Sequence, residues 1–296
     1  MTGAADAAVF PWLQATTTVE NYVDPRYYGR LLKPYAFAGR SDLELFDAFA
    51  RSRGAVESAL ELGSGPGRVT DVFVAAHPSA PLTLVDLSPR MLNYTREKFA
   101  GRTAMKFANV DALQFLRETD ARYDFAFTLW SFSHSVHQWV HRMGIETATQ
   151  IVFDILRKFL VENLTPGGAF FLMHFDSMSD EQRILMPQWG RVYEAFADNG
   201  TQSPSKRIVE RALRRLDDEC VIRLSSAHLR GDPIIYESED QVLEIMLNFH
   251  LESYFNDRPE RDDVLRDIRQ RIVPFRQAGG SYAIAPGAYI FTLERI

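Results

Sequence analysis

Cysteine is almost absent: Cys220 is the only one in 296 residues. That excludes an intramolecular disulfide, a cysteine-rich metal site and any methyl-transfer chemistry that needs two thiols. Long apolar runs are missing too. No segment approaches the roughly 18 uninterrupted apolar residues of a membrane-spanning helix, so no membrane association is expected. Met1 to Val9 lacks the basic flank of a secretory signal, and the expected compartment is the cytoplasm. Nor is there a surplus of basic charge. The chain has 33 Lys and Arg against 39 Asp and Glu, a net charge of −6. Its one modest basic cluster, Arg207, Arg211, Arg214 and Arg215, shares a predicted helix with Glu210, Asp217 and Asp218. A phosphate-tracking face needs a wider patch of one sign. Nucleic acid is not an expected partner.

The apolar and charged fractions, 46% and 24%, suit a soluble globular chain with a sizeable core. From residue 55, apolar runs of strand length alternate with helical patterns, as in a parallel sheet covered on both faces. Strands are expected at 58–62, 82–86, 105–110, 124–129 and 169–173. Helices are expected at 68–76, at 88–99 with Ser88 as cap and Pro89 in the first turn, and at 146–164. Then the alternation breaks. Residues 178–217 predict two helices around a polar stretch, 220–225 a strand, 240–255 and 262–272 two further helices, and 288–294 a last strand.

The densest signal lies at residues 59–67, Ala-Leu-Glu-Leu-Gly-Ser-Gly-Pro-Gly, with glycines at 63, 65 and 67. Glycine lets a loop turn sharply and lets a ligand approach the main chain. The next apolar run, Leu82 to Val85, stops at Asp86, placed to accept hydrogen bonds from both hydroxyls of a ribose. The loop is GxGxG, and Arg68 stands where the dinucleotide fingerprint has its third glycine. A third run closes at Asn109-Val-Asp111-Ala112.

Glu61-Leu-Gly63-Ser-Gly65-Pro-Gly67, followed by Asp86 and Asp111-Ala112, resembles the opening motifs of the class I S-adenosylmethionine (SAM)-dependent methyltransferases, over residues 55–175. The resemblance implies a Rossmann-like α/β fold with a seven-stranded, mostly parallel sheet whose last two strands pair antiparallel. It implies SAM as cofactor, with Glu61 facing the methionyl amine and Asp111 with Ala112 at the adenine edge. The glycine loop and the helix behind it would receive the methionyl carboxylate. Leu129, at the end of the fourth strand, is counted with the cofactor-binding positions. Residues 1–50 hold Phe10, Trp12, Tyr22, Tyr27, Tyr28, Tyr35 and Phe37. They are expected as a lid segment over an α/β domain at 51–296, helped by a helical insertion at 178–217. Tyr22 and Tyr28 join the cofactor candidates because aromatic faces attract sulfonium cations, although such rings also serve to pack a lid on a core.

For the acceptor, the stretch after the fourth strand reads Leu129-Trp-Ser-Phe-Ser-His134-Ser-Val-His137-Gln-Trp-Val-His141. Three of the seven histidines fall at i, i+3 and i+7, one stripe of a helix. His174 follows the fifth strand. His134, His137 and His174 are candidate catalytic bases. A metal held by the same three is an alternative, and hydrogen-bonded packing is a third; no metal is assigned. The fourth strand ends Thr-Leu-Trp-Ser, not the Asn/Asp-Pro-Pro-Tyr/Phe signature of methyltransferases that grip adenine or glutamine amides, which points away from macromolecular substrates. The expected function is methyl transfer to an oxygen or nitrogen of a small molecule, in a secondary-metabolite setting. Two alternatives stand beside it. One is an intramolecular cyclase that consumes SAM and releases methylthioadenosine, like azetidine-2-carboxylate synthases. The other is a non-catalytic SAM-binding protein.

Overall fold

Apolar strands separated by amphipathic helices leave a chain one economical solution, a sheet buried between two helical layers. The computed structural model describes residues 10–16, 24–26, 28, 35–196 and 202–296. A small ribbon, β1 (Ala36–Phe37) and β2 (Arg40–Ser41), leads into α1 (Asp42–Ser52). There follow β3 (Ala59–Leu62), α2 (Arg68–Ala76), β4 (Leu82–Asp86), α3 (Pro89–Lys98), β5 (Met105–Asn109) and α4 (Ala112–Glu118). Next come β6 (Tyr123–Leu129), α5 (Phe132–Met143), α6 (Ile145–Lys158) and β7 (Leu164–Phe175). The remainder is α7 (Asp180–Trp189), α8 (Pro204–Asp218), β8 (Ile222–Arg230), β9 (Ile234–Tyr236), α9 (Glu239–Ile245), α10 (Arg261–Ile272), β10 (Tyr282–Ile284) and β11 (Gly287–Arg295).

Seven strands form one sheet in the order β5-β4-β3-β6-β7-β11-β8. Neighbours from β5 through β7 are parallel, and β11 runs antiparallel between β7 and β8. This is the expected sheet. Its order reverses beside β3, so the carboxyl ends of β3 and β6 open the crevice where ligands bind in such folds.

The helical layers are distributed differently from the expectation. Residues 1–50 do not serve only as a lid, because α1 covers the sheet: Phe46 is fully buried and meets Phe127 at 4.8 Å and Phe171 at 5.4 Å. The insertion at 178–217 also divides. Ile208, Val209, Ala212, Leu213 and Leu216 of α8 share the core of α5 and α6 under the sheet. Only α7 leaves the sheet, its Ile184 and Leu185 packing with α9 and α10 in a separate core that also takes Phe10, Trp12 and Leu13. The larger insertion is therefore residues 231–286, between β8 and β11, tied at its base by the β9–β10 pair. The physical reason is plain: an amphipathic stripe says that a helix has an apolar partner, and not which one.

Candidate active site

The glycine loop joins β3 to α2. Gly63 has φ +71°, and a Cβ there would lie 2.0 Å from Ser131 Oγ. Ser131 in turn donates to the Leu62 carbonyl at 2.9 Å, which ties the end of β6 to the loop. Gly65, at φ +51°, is different: a Cβ there meets nothing within 4 Å. The space before Gly65 is open.

Asp86 closes β4 and is half-buried. One carboxylate oxygen accepts from the Gly65 N–H at 2.7 Å, the other from the Ser88 N–H at 2.8 Å. A carboxylate has about four lone-pair sites, so each oxygen keeps one for a ligand hydroxyl. Burial raises the Asp86 pKa and those two N–H groups oppose the rise. Glu61, 2% exposed, accepts from Thr70 Oγ at 2.6 Å. Burial pushes its carboxyl up to about 8 against the lowering by Thr70, with Asp86 and Asp71 adding to the rise. Asp111 is the most heavily engaged acid. Its Oδ1 caps α4 through the Gln114 N–H at 3.1 Å and accepts from the Trp139 indole at 3.0 Å, while Oδ2 accepts from Ser135 at 2.6 Å. One Oδ2 lone pair remains for any outside partner. Ala112 opens α4 beside it, and Leu129, 7% exposed, ends β6.

A cavity of about 200 Å³ opens next to Trp130, which follows Leu129. It lies under α5, α7 and the 231–286 insertion. Tyr28, Trp130, Phe175, Trp189, Tyr193 and Phe249 supply aromatic wall. The predicted histidine stripe exists, since α5 carries His134, His137 and His141 into this cavity, and His174 of β7 joins them. Their environments differ. His174 is 2% exposed; its Nδ1 donates to the Phe175 carbonyl at 3.0 Å and its Nε2 accepts from Ser205 Oγ at 3.1 Å. Both ring nitrogens are engaged, and burial holds the imidazole neutral, with a pKa of about 4. His137 Nε2 accepts from the Ser205 N–H at 3.3 Å, and burial lowers its pKa well below the ordinary value. His134 is exposed, with Nδ1 3.3 Å from a Glu252 carboxylate oxygen. Among the described residues, no group of three or more His, Cys, Asp or Glu side chains could hold a metal ion.

Tyr28 is half-buried, packs edge-on against Phe249 at 5.3 Å and has its pKa raised by burial. It lines the cavity. Tyr22 and Tyr27 lie outside the described residues.

Other parts of the site carried no sequence signal. Trp130 adopts φ +68°, a left-handed conformation uncommon for bulky residues. It is held there by its indole N–H donating to Asp42 at 2.8 Å and by Phe175 at 4.6 Å. Asp42 is buried and also pairs with Arg68. Deeper in, the buried Glu181 carboxylate accepts from Tyr35 Oη at 2.8 Å and lies 3.4 Å from His250.

Residues 59–155 match the model described as a methyltransferase domain. That match covers about a third of the chain, from β3 into α6. The matches include trans-aconitate 2-methyltransferase of Sinorhizobium fredii, 26% identical over 44% of this chain and 43% of the relative. Another is the malonyl-[acyl-carrier protein] O-methyltransferase of Acetivibrio thermocellus, 28% identical over 49% of this chain and 48% of the relative. The matched segment thus spans about half the length of either relative. A cyclopropane synthase from Mycobacterium tuberculosis, 15% identical, shares the fold with a TM-score of 0.50 over 97% of this chain and 98% of its own.

SAM, the cofactor that the glycine-loop resemblance implies, fits the residues present. The opening before Gly65 admits a ligand to the main chain, and the fixed Asp86 carboxylate has capacity for two hydroxyls. Glu61 is a buried acid at the same loop. No helix among the described residues is long and apolar enough to cross a membrane.

Proposed function

We propose that the protein transfers the methyl group of SAM to an oxygen or nitrogen of a small molecule held in the aromatic cavity. The observation that carries this reading is the continuity of the two sites. Segment 129–131 ends β6, lines the cavity through Trp130 and grips the glycine loop through Ser131. A group at the loop and a group in the cavity therefore meet across one residue. The matched methyltransferases, named for trans-aconitate and for a malonyl group on acyl-carrier protein, support a small acceptor group.

SAM supplies an activated methyl on a sulfonium, so the protein must chiefly align an acceptor lone pair and exclude water. In this reading Asp86 holds the ribose, Glu61 faces the methionyl amine and the aromatic walls orient the acceptor. His134 is the candidate base among the three histidines, because His174 and His137 have nitrogens committed to Ser205.

A second reading is favoured by Glu61. Burial holds its carboxyl up at about 8; if Glu61 kept its proton with SAM bound, instead of yielding it to the ammonium, it would give the methionyl amine no counter-charge. The protein would then consume SAM alone, releasing methylthioadenosine and an azetidine carboxylate. Mass spectrometry of the pure protein with SAM separates the cases. Adenosylhomocysteine formed only with an added metabolite supports methyl transfer. Methylthioadenosine formed without one supports cyclisation, and binding without turnover over a broad acceptor panel leaves a SAM-binding protein.

A further inference from the structure

We propose that Glu252 makes the cavity a receptor for a primary ammonium group, either that of an amine acceptor or the cofactor's own α-amino group. The inference rests on taking the cavity as the reacting end of the site. Its first support is what the walls contain. Among the described residues lining it there is no Lys, Arg or Asp, and Glu252 is the one carboxylate. Rings of Tyr28, Trp130, Trp189, Tyr193 and Phe249 line the same cavity. Aromatic faces attract cations and repel anions, and a carboxylate among them repeats the preference. The acids named for the matched relatives would find no Lys or Arg among the described lining residues.

The second support is the backbone. Glu252 and Ser253 adopt φ +53° and +56°, two successive left-handed residues that are not glycine. Such strain persists only where the surroundings over-determine it, and it gathers at ligand clamps. Here it is pinned on several sides. The Ser253 N–H donates to the Leu247 carbonyl at 2.9 Å and its hydroxyl to the Asn248 carbonyl at 3.2 Å. Asn248 donates to the Trp12 carbonyl at 2.7 Å, and Asn256 donates to Asn248 Oδ1 at 2.8 Å. The turn sets Glu252 at the cavity beside His134, at 3.3 Å. Tyr28 lines the same cavity.

The test is binding to the full chain by calorimetry, which needs no turnover and so stands whether or not methyl transfer is the reaction. The probes are adenosylhomocysteine, methylthioadenosine (which lacks the ammonium), and phenethylamine, 2-phenylethanol and phenylacetate added to the adenosylhomocysteine complex. If the ammonium belongs to an acceptor, phenethylamine binds at least tenfold tighter than the alcohol or the acid. Glu252→Gln then abolishes that preference and leaves adenosylhomocysteine unchanged. If the ammonium is the cofactor's, Glu252→Gln weakens adenosylhomocysteine at least tenfold and leaves methylthioadenosine unchanged. Glu252→Asp keeps the charge and retains part of whichever effect is seen; it also serves if the Gln variant does not fold. Equal affinities of wild type and Glu252→Gln for both adenosylhomocysteine and phenethylamine overturn the proposal. So does tighter binding of phenylacetate than of phenethylamine.

Discussion

Asp86 ends β4 and Glu61 sits one residue before the end of the neighbouring β3, yet their surroundings give them different work. Asp86 holds two backbone N–H groups while keeping lone pairs outward. Hydrogen bonds to charged groups are worth roughly 1.5–3 kcal/mol each. Asp86→Ala should therefore weaken adenosylhomocysteine at least tenfold in calorimetry, and should also lower the melting temperature of the ligand-free protein. Unchanged affinity in a folded variant would remove Asp86 from the ribose site. Glu61 should show itself through pH. Below about 8 it carries a proton, and a ligand ammonium favours the ionised form, so binding expels that proton. Affinity should rise between pH 6 and 8 in wild type and run flat in Glu61→Gln; parallel profiles would place the amine elsewhere. The histidines divide in the same manner. His174→Ala breaks two buried hydrogen bonds and should cost stability. His134→Ala should leave the melting temperature alone and, if His134 is the base, lower single-turnover rates by roughly 10²–10⁴. A full wild-type rate would end its candidacy.

At the scale of elements, the loop makes two glycines do opposite jobs. Gly63→Ala drives a Cβ into Ser131 and should loosen the junction of β3 with β6, seen as a lower melting temperature. Gly65→Val meets no protein atom. It should keep most of the fold, apart from the cost of a left-handed φ, roughly 1–2 kcal/mol, and lose thermal stabilisation by adenosylhomocysteine. A wild-type ligand shift in Gly65→Val would show that the ligand stays away from the main chain. The strands, the glycine loop and the stripe of His134, His137 and His141 were legible in the sequence because each is a local pattern. Their periods are 2, 3.6 or a fixed spacing. The engagement of Asp111 by Ser135 and Trp139 was not legible, since it joins side chains more than twenty positions apart. Trp130 and Glu252 hid for another reason: left-handed backbone is announced by Gly or Asn, and neither stands there. The covering role of 231–286, and the place of α8 under the sheet, depend on which apolar faces meet in three dimensions.

Across the whole molecule, the buried titratable groups pull stability in opposite directions. His137, His174 and His250 have pKa values depressed by burial, His174 to about 4. The unfolded chain binds their protons first, so their contribution is complete above about pH 6.5 and is lost as the pH falls toward 4. Glu61 has the opposite sign. Its raised pKa stabilises the fold below about 4.5, and that contribution drains as the pH rises to about 8. One proton is worth about 1.4 kcal/mol per pH unit. The melting temperature of the ligand-free protein should therefore peak near pH 6.5, with an alkaline shoulder that Glu61→Gln flattens. A profile of the Gln variant that still falls between pH 6.5 and 8 would contradict the buried, protonated Glu61.

The position of β11 also bears on how the chain acquires its structure in time. Both partners, β7 and β8, are synthesised before it, and the whole 231–286 segment intervenes between β8 and β11. Until β11 arrives, each of those two strands has an edge facing an empty slot, and unpaired edges recruit other chains. Pairings this distant in sequence form slowly. The closing step is thus the insertion of one strand between two waiting ones, and a pulse of hydrogen exchange during refolding should find the β7 and β8 amides that bond to β11 protected last.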